Sequence, residues 1–338
     1  MSLMSVRDLS IRFRTDEGLV TAVEDLSFDI APGEVLGLVG ESGSGKSVTA
    51  KALMRLNADN AVYGPASQIR LTTEAGVTDV LALKRERDME QVRGGAVSMI
   101  FQEPMASFAP AITVGEQMVE QLLIHTRMSK AQAKAHAIDM LDRVGIPAPD
   151  KRFDQFAFEF SGGMRQRAMI AMALSTSPNL LIADEPTTAL DVTIQAQVID
   201  LMKDLVAEFG MGILFITHDL GVIAQTADRV AVMYLGRIVE TGSVRQVIRD
   251  PRHLYTRGLI EALPKLDDLD AALTPIPGDI PSPLNRPSGC VFHTRCGIAR
   301  AGHCDREVPP SRDFGEGHAV ACHYAEAPAA TRREGAGA

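Results

Sequence analysis

The sequence lacks an excess of positive charge. Its 34 Lys and Arg stand against 43 Asp and Glu, for a formal net charge of -9 and a pI near 5.4. That balance argues against unaided binding to nucleic acid or to an anionic membrane surface. The first residues, Met1 to Asp8, lack the long apolar core of a secretory signal. No stretch offers the ~18 consecutive apolar residues of a bilayer-spanning helix, so any membrane role would run through a partner. There is no tryptophan, only four tyrosines and no internal repeat. Cysteine is absent before position 290, and all four cysteines fall between 290 and 322.

What is present suits a folded α/β protein. The 338 residues allow one large domain with an appendage, or two small domains. Contents of 46% apolar and 23% charged residues are ordinary for a soluble chain. Val6 to Phe13 and Thr21 to Ile30 alternate apolar and polar residues around Thr15-Asp16-Glu17-Gly18, which predicts an antiparallel pair. Apolar runs at 34–39, 96–101, 180–183 and 212–217 predict buried strands. Helical spacing recurs over 112–145, from Ser161 to about Ser175, over 193–209 and over 220–227. A hairpin is expected around Gly236, and 57–93 gives only a weak signal. Phe153, Phe156, Phe158 and Phe160 read as core packing. Strands alternating with helices imply a mostly parallel sheet. From Pro251 onward prolines mark an extended, poorly helical segment, and 326–338, rich in Ala, Gly and charge, is expected to be disordered.

One loop organises the rest. Gly40-Glu41-Ser42-Gly43-Ser44-Gly45-Lys46-Ser47 fits G-x-x-x-x-G-K-S/T at every fixed position, between a predicted strand and a helix that starts near Val48. Glycines let several N–H groups converge on one anion, and the helix start adds its own free N–H groups and partial positive charge. Lys46 can reach the β- and γ-phosphates of a nucleotide, and the Ser47 hydroxyl can ligate Mg²⁺. A second strand delivers Asp184-Glu185. If that strand lies near 35–39 in the sheet, Asp184 joins the Mg²⁺ shell and Glu185 polarises the attacking water. The ordinary alternatives are a glycine-rich turn and an acidic turn that caps the next helix.

The set of motifs resembles the ATP-binding cassette (ABC) ATPases over roughly residues 5 to 245. Ser161-Gly162-Gly163-Met164-Arg165-Gln166 is similar to their signature sequence, Gln102 to the Q-loop glutamine, Ala189-Leu190-Asp191 to the D-loop, and His218 to the switch histidine. Phe13 falls where the family places an aromatic that stacks on adenine. Singly, Gln102, Phe13 and His218 have ordinary surface, core or capping readings; their joint order carries the resemblance. It implies a RecA-like parallel sheet core with an N-terminal antiparallel β-subdomain (1–102 and 176–258), a helical subdomain (103–175) and a small irregular Cys-rich appendage (259–325). It implies that Gly40 to Val48 hold the phosphates, that Ser47, Gln102 and Asp184 attend Mg²⁺, that Glu185 is the base, and that His218 contacts the γ-phosphate. Ser161 and Gly163 would touch a nucleotide held by the opposite subunit, so two cassettes must close on ATP.

The stretches 101–105, 163–167 and 184–197, together with Pro281-Ser282-Pro283-Leu284-Asn285 and Gly289-Cys290-Val291-Phe292-His293, resemble the ATPases of bacterial dipeptide and oligopeptide importers. Met164 favours their D type. The resemblance implies an F-type partner ATPase (a homodimer is the alternative), two membrane permease subunits, an extracytoplasmic solute-binding protein, no nucleic acid, and a peripheral position on the cytoplasmic face of the inner membrane. Other solutes, among them nickel, glutathione and opines, stay open. So does a soluble ABC ATPase of DNA repair or translation. Ser107-Phe108-Ala109-Pro110 departs from the family's usual Ser-Leu-Asn-Pro in a segment expected to face the membrane subunits.

Cys290, Cys296, Cys304 and Cys322 follow C-x5-C-x7-C-x17-C. A cytosolic chain disfavours disulfides, and the missing C-x2-C weakens a zinc-ribbon reading. Four thiolates suit an iron–sulfur cluster of the 4Fe-4S kind, as in related importer ATPases. Zinc, with help from His293, His303, His318 or His323, and ordinary reduced cysteines are the alternatives.

Overall fold

A computed structural model of the protein describes residues 2–103, 107–187, 192–263 and 275–325. The chain opens with two long antiparallel strands, β1 (Met4–Thr15) and β2 (Gly18–Ile30), whose register Thr15↔Gly18 closes the expected turn. β3 (Val35–Val39) runs into the phosphate loop and α1 (Lys46–Leu53). The weakly patterned segment resolves into β4 (Ala61–Tyr63), β5 (Gln68–Thr73), β6 (Gly76–Asp79) and one helical turn, α2 (Glu86–Met89). β4 and β5 both pair with β1, and β6 pairs with β5, which completes an antiparallel sheet.

After β7 (Val97–Ile100) the chain leaves for a helical subdomain: α3 (Val114–His125), α4 (Lys130–Arg143), α5 (Pro149–Phe153) and α6 (Gly162–Leu174). Thr113 with Glu116 and Ser129 with Gln132 form reciprocal capping boxes, which satisfy orphan amides and break the helical run of 112–145 into two helices. Phe153 and Phe160 are buried as expected, whereas Phe158 is exposed and stacks on Phe156 at 5.3 Å. The chain returns through β8 (Leu180–Asp184), α7 (Val192–Phe209), β9 (Gly212–Thr217), α8 (Leu220–Thr226), β10 (Arg229–Tyr234) and β11 (Arg237–Ser243). α9 (Val244–Arg249), α10 (Leu254–Glu261), β12 (Ser311–Asp313) and β13 (Ala319–Ala321) follow.

The main sheet has the order β12-β13-β11-β10-β3-β9-β8-β7, parallel from β10 to β7. Its parallel strands are covered on both faces, so they read as continuous apolar runs. The pleat sorts them. Leu181, Ala183, Ile213, Phe215, Val230 and Val232 enter one core with the helical subdomain. Leu180, Ile182, Leu214, Ile216, Ala231 and Met233 enter the other, with α1 and the antiparallel sheet. The parallel strands end together, which places the loops after β3, β7, β8 and β9 on one edge. β13 pairs with β11, so the last described strands extend the main sheet rather than standing apart from it. Among the described residues no helix is long and apolar enough to cross a membrane. Asp191 and the segment 326–338 lie outside the described residues.

Candidate nucleotide site

The phosphate loop needs its glycines for two reasons. Gly45, at the N-cap of α1, has φ of +102°, and a Cβ there would lie 2.7 Å from the Ala22 carbonyl. Gly40 passes so close to the backbone of Met233 that a Cβ would sit 2.1 Å from its carbonyl oxygen. The loop is also tied sideways, since the Gly236 amide donates to the Ser44 carbonyl at 2.8 Å. Lys46 is buried, and its Nζ donates to the carbonyls of Gly40 at 2.7 Å and Glu41 at 3.0 Å. Burial pushes its pKa down, against the pull of Glu185, Asp184 and Glu41.

The acidic pair arrives from β8. β9 separates β8 from β3, so the two strands are near rather than adjacent, yet the Ser47 hydroxyl donates to Asp184 Oδ1 at 3.1 Å. Burial pushes the Asp184 carboxyl up, with the Ser47 hydrogen bond opposing it. Glu185 has φ of +49°, and its amide donates to the Ile216 carbonyl at 2.9 Å. Gln102 Nε2 donates to Glu185 Oε2 at 3.0 Å, and His218 Nδ1 lies 3.5 Å from Glu185 Oε1. Three loops of the same sheet edge thus meet at one carboxylate.

Ser42, Gly43, Ser44, Gly45, Lys46, Ser47, Val48, Gln102 and Glu185 line one cleft. Residues that the sequence did not point to also line it: Val20, Thr21, Ala22, Leu235 and Pro283. They come from β2, from the turn after β10 and from the segment 281–285, which the sequence linked to peptide importers but not to nucleotide, and only topology brings them in. Phe13 is half-buried against the core of the antiparallel sheet; its cross-strand partner Val20, not Phe13, lines the cleft. Ser161 caps α6, accepting from the Met164 amide at 3.3 Å. Ser161 and Gly163 lie outside the cleft of their own chain, and Ser161 is exposed. The Ser47 hydroxyl and the Asp184 carboxylate, 3.1 Å apart, are hard-oxygen donors of the kind that Mg²⁺ takes.

The four cysteines are free thiols and line one small cavity with His293, His323 and Tyr324. Burial, then the neighbouring cysteines, push the Cys290 thiol up to about 11. Among the described residues no group of three or more His, Cys, Asp or Glu side chains is disposed to hold a metal ion. The cysteines expected to carry a cluster are therefore gathered, but not set out as ligands.

Comparison with known proteins agrees with the fold and the loop. Residues 23–188 match the ABC transporter family, and residues 239–304 match the C-terminal region of oligopeptide/dipeptide transporters. The chain is 50% identical to the oligopeptide transport ATP-binding protein OppD of Bacillus subtilis, over 91% of this chain and 85% of that one. It is 48% identical to OppD of Salmonella typhimurium, over 95% of this chain and 93% of that one. The dimeric ATP-binding cassette MJ0796, in a post-hydrolysis state bound to ADP and Pi, shares the fold with a TM-score of 0.62 and 22% identity. It aligns with 72% of this chain and 99% of its own. The chain belongs to the ATP-hydrolysing subunits of the ABC transporters, in the branch that carries the oligopeptide/dipeptide C-terminal region.

Proposed function

We propose that this chain powers the import of peptides by binding ATP at the loop 40–47 and hydrolysing it within a cassette dimer. The convergence of Gln102, Glu185 and His218 beside the phosphate loop carries the reading. Gly40 to Val48 hold the phosphates. Glu185 accepts a proton from water as the water oxygen bonds to the γ-phosphorus, and the bond to the β,γ-bridging oxygen breaks to release ADP. Ser47 and Asp184, with Gln102 nearby, would hold Mg²⁺, which would supply positive charge against the phosphates. His218 contacts the γ-phosphate. Ser161 and Gly163 supply amides and a hydroxyl to the nucleotide of the partner subunit, which explains why they stand outside their own cleft.

The partner ATPase is of the F type, and the pair of ATPases sits on the cytoplasmic face of the membrane beneath two transmembrane permease subunits. A cleft lined by Met54, Met99, Phe101, Ser107, Met169 and Met172 supports the permease contact. It includes Ser107, the first residue of the segment expected to face those subunits, and methionine adapts to a partner's shape. Peptides are favoured as cargo because relatives at about half identity are named as oligopeptide transport proteins. For the four cysteines the reading is an iron–sulfur cluster, with zinc as the alternative, whose binding would draw the gathered thiols into a ligand arrangement that they do not hold without it. Four thiols lining one cavity without a disulfide support this. Visible absorption after anaerobic purification, lost with Cys290→Ser, checks it.

The central test is Glu185→Gln. The variant binds ATP and associates into stable ATP-dependent dimers, while hydrolysis falls by ~10²–10⁴-fold, the usual worth of a general base. Sizing by light scattering with and without ATP, alongside phosphate release, reads both. Near-normal hydrolysis removes Glu185 as the base.

A further inference from the structure

The cleft does not use every charged group on the phosphate loop. The carboxylate of Glu41, the second residue of the loop, does not line the cleft; it is held by Arg295, a residue of the C-terminal segment. Nη1 of Arg295 donates to Glu41 Oε2 at 2.8 Å, and Nη2 donates to Oε1 at 3.2 Å. Nη1 also donates to the Tyr234 hydroxyl at 3.4 Å and Nη2 to the Ile276 carbonyl at 3.2 Å, while Nε donates to the Pro277 carbonyl at 3.0 Å. A guanidinium carries five N–H groups in a fixed fork, and each of those here has an acceptor. The Arg295 side chain is 4% exposed, and that of Glu41 is 25% exposed.

The rest of Glu41 is held too. Its amide donates to the Tyr255 hydroxyl at 2.8 Å, and its carbonyl accepts from Lys46 Nζ. Tyr255 and Tyr234 pack on each other at 4.7 Å and on Phe292, three residues before Arg295, at 5.5 and 5.2 Å. A carboxylate on a triphosphate loop is an electrostatic liability unless a cation cancels it. Arg295 supplies that cation and fixes the loop in the same contact.

We propose that Arg295 is a positioning residue for nucleotide binding: through Glu41 it holds the phosphate loop in shape and cancels its negative charge. This rests on the assignment of residues 40–47 to the triphosphate. Its consequence is that the C-terminal segment, whose Cys296 follows Arg295 directly, bears on ATP affinity through a residue that does not itself line the cleft.

The test is a cycle on the full-length chain, with Mg-ATP binding measured at equilibrium and hydrolysis measured across ATP concentrations. Arg295→Met raises Kd and KM by about tenfold, because an unpaired charge remains and the loop must be reordered, while kcat at saturating ATP stays within about threefold. Glu41→Gln raises Kd less, since it removes the charge along with the clamp. The double variant binds more tightly than Arg295→Met alone, a rescue that a general loss of folding would not give. Arg295→Lys, which keeps the charge and loses the fork, falls between parent and Arg295→Met, and it replaces Arg295→Met in the cycle if that variant does not fold. A Kd for Arg295→Met within about twofold of the parent, or a double variant weaker than Arg295→Met, overturns the proposal. Lys46→Ala keeps the two readings apart: if it too binds ATP like the parent, the assignment of the loop has failed and not the role of Arg295.

Discussion

Asp184 shows how a cation site sets function against stability within one residue. Its carboxylate is 3% exposed, and burial raises its pKa above the usual 3.8 despite the Ser47 hydrogen bond. In the interval between 3.8 and the raised value, the unfolded chain has released its proton and the folded chain still holds it. The contribution of Asp184 to stability therefore falls as pH rises through that interval, and the penalty persists at neutral pH. Asp184→Asn removes it. Without nucleotide the variant melts a few degrees above the parent near neutral pH, and the gap closes on acidification towards about pH 4. Mg-ATP, which raises the melting temperature of the parent, does so far less in the variant, and turnover drops by about a hundredfold. Thermal melts across pH, with and without Mg-ATP, read every part. A variant that melts below the parent at neutral pH would sink this account.

Much of the site was legible at this scale because phosphate chemistry is so restrictive. A glycine that must have positive φ, a lysine one residue from α1's cap and a hydroxyl next to it cannot be rearranged without losing the anion cradle. Leu235 and Pro283 were not legible, because any small or apolar side chain could occupy a cleft wall. Arg295 was not legible either: nothing local to 295 says that its partner is 254 positions away.

Among elements, the parallel strands were the easiest to read and the sheet edge the hardest. β8 and β9 are buried along their whole length, which forces continuous apolar runs. β13 has three residues, Ala319–Ala321, and no alternation long enough to be seen. Its place is fixed instead by Glu240 on β11. That carboxylate is fully buried and accepts from the amides of Arg252 at 2.8 Å and His253 at 3.0 Å, and His318 Nε2 lies 2.7 Å from it. One side chain thus joins β11, the start of α10 and the approach to β13. Glu240→Ala strands two amides and an imidazole in the interior, at a cost of about 3 kcal/mol. Urea unfolding of the variant should show the midpoint move with little change of slope. A loss below about 1 kcal/mol would mean that water reaches the site.

On the scale of the whole molecule, the C-terminal region behaves as part of the cassette rather than as cargo attached to it. The family resemblance implied a small irregular Cys-rich appendage, and composition could not reveal how much of the cassette it covers. Val291 and Phe292 are 4% and 2% exposed, and both belong to the core that includes the β8 and β9 residues Ala183 and Phe215. β13 covers the edge of β11, Arg295 grips the phosphate loop, and Arg286 pairs with Glu24 on β2 at 3.0 Å. Ending the chain at residue 263 would strip all four contacts at once. Phe292 alone contributes about 1.5–3 kcal/mol by burial, and losing the charged hydrogen bonds of Arg295 to the partly exposed Glu41 costs about 1.5–3 kcal/mol more. Together these approach the lower end of the stability of a typical domain, about 5–15 kcal/mol. The shortened chain should therefore be recovered largely aggregated, or melt at least about 10 °C below the parent. It should bind Mg-ATP more weakly than Arg295→Met does, because it loses β13 and Phe292 as well as the guanidinium. A soluble 1–263 chain with the parent's melting temperature and ATP affinity would make the C-terminal region a separable domain, and would remove the structural route from its cysteines to the nucleotide.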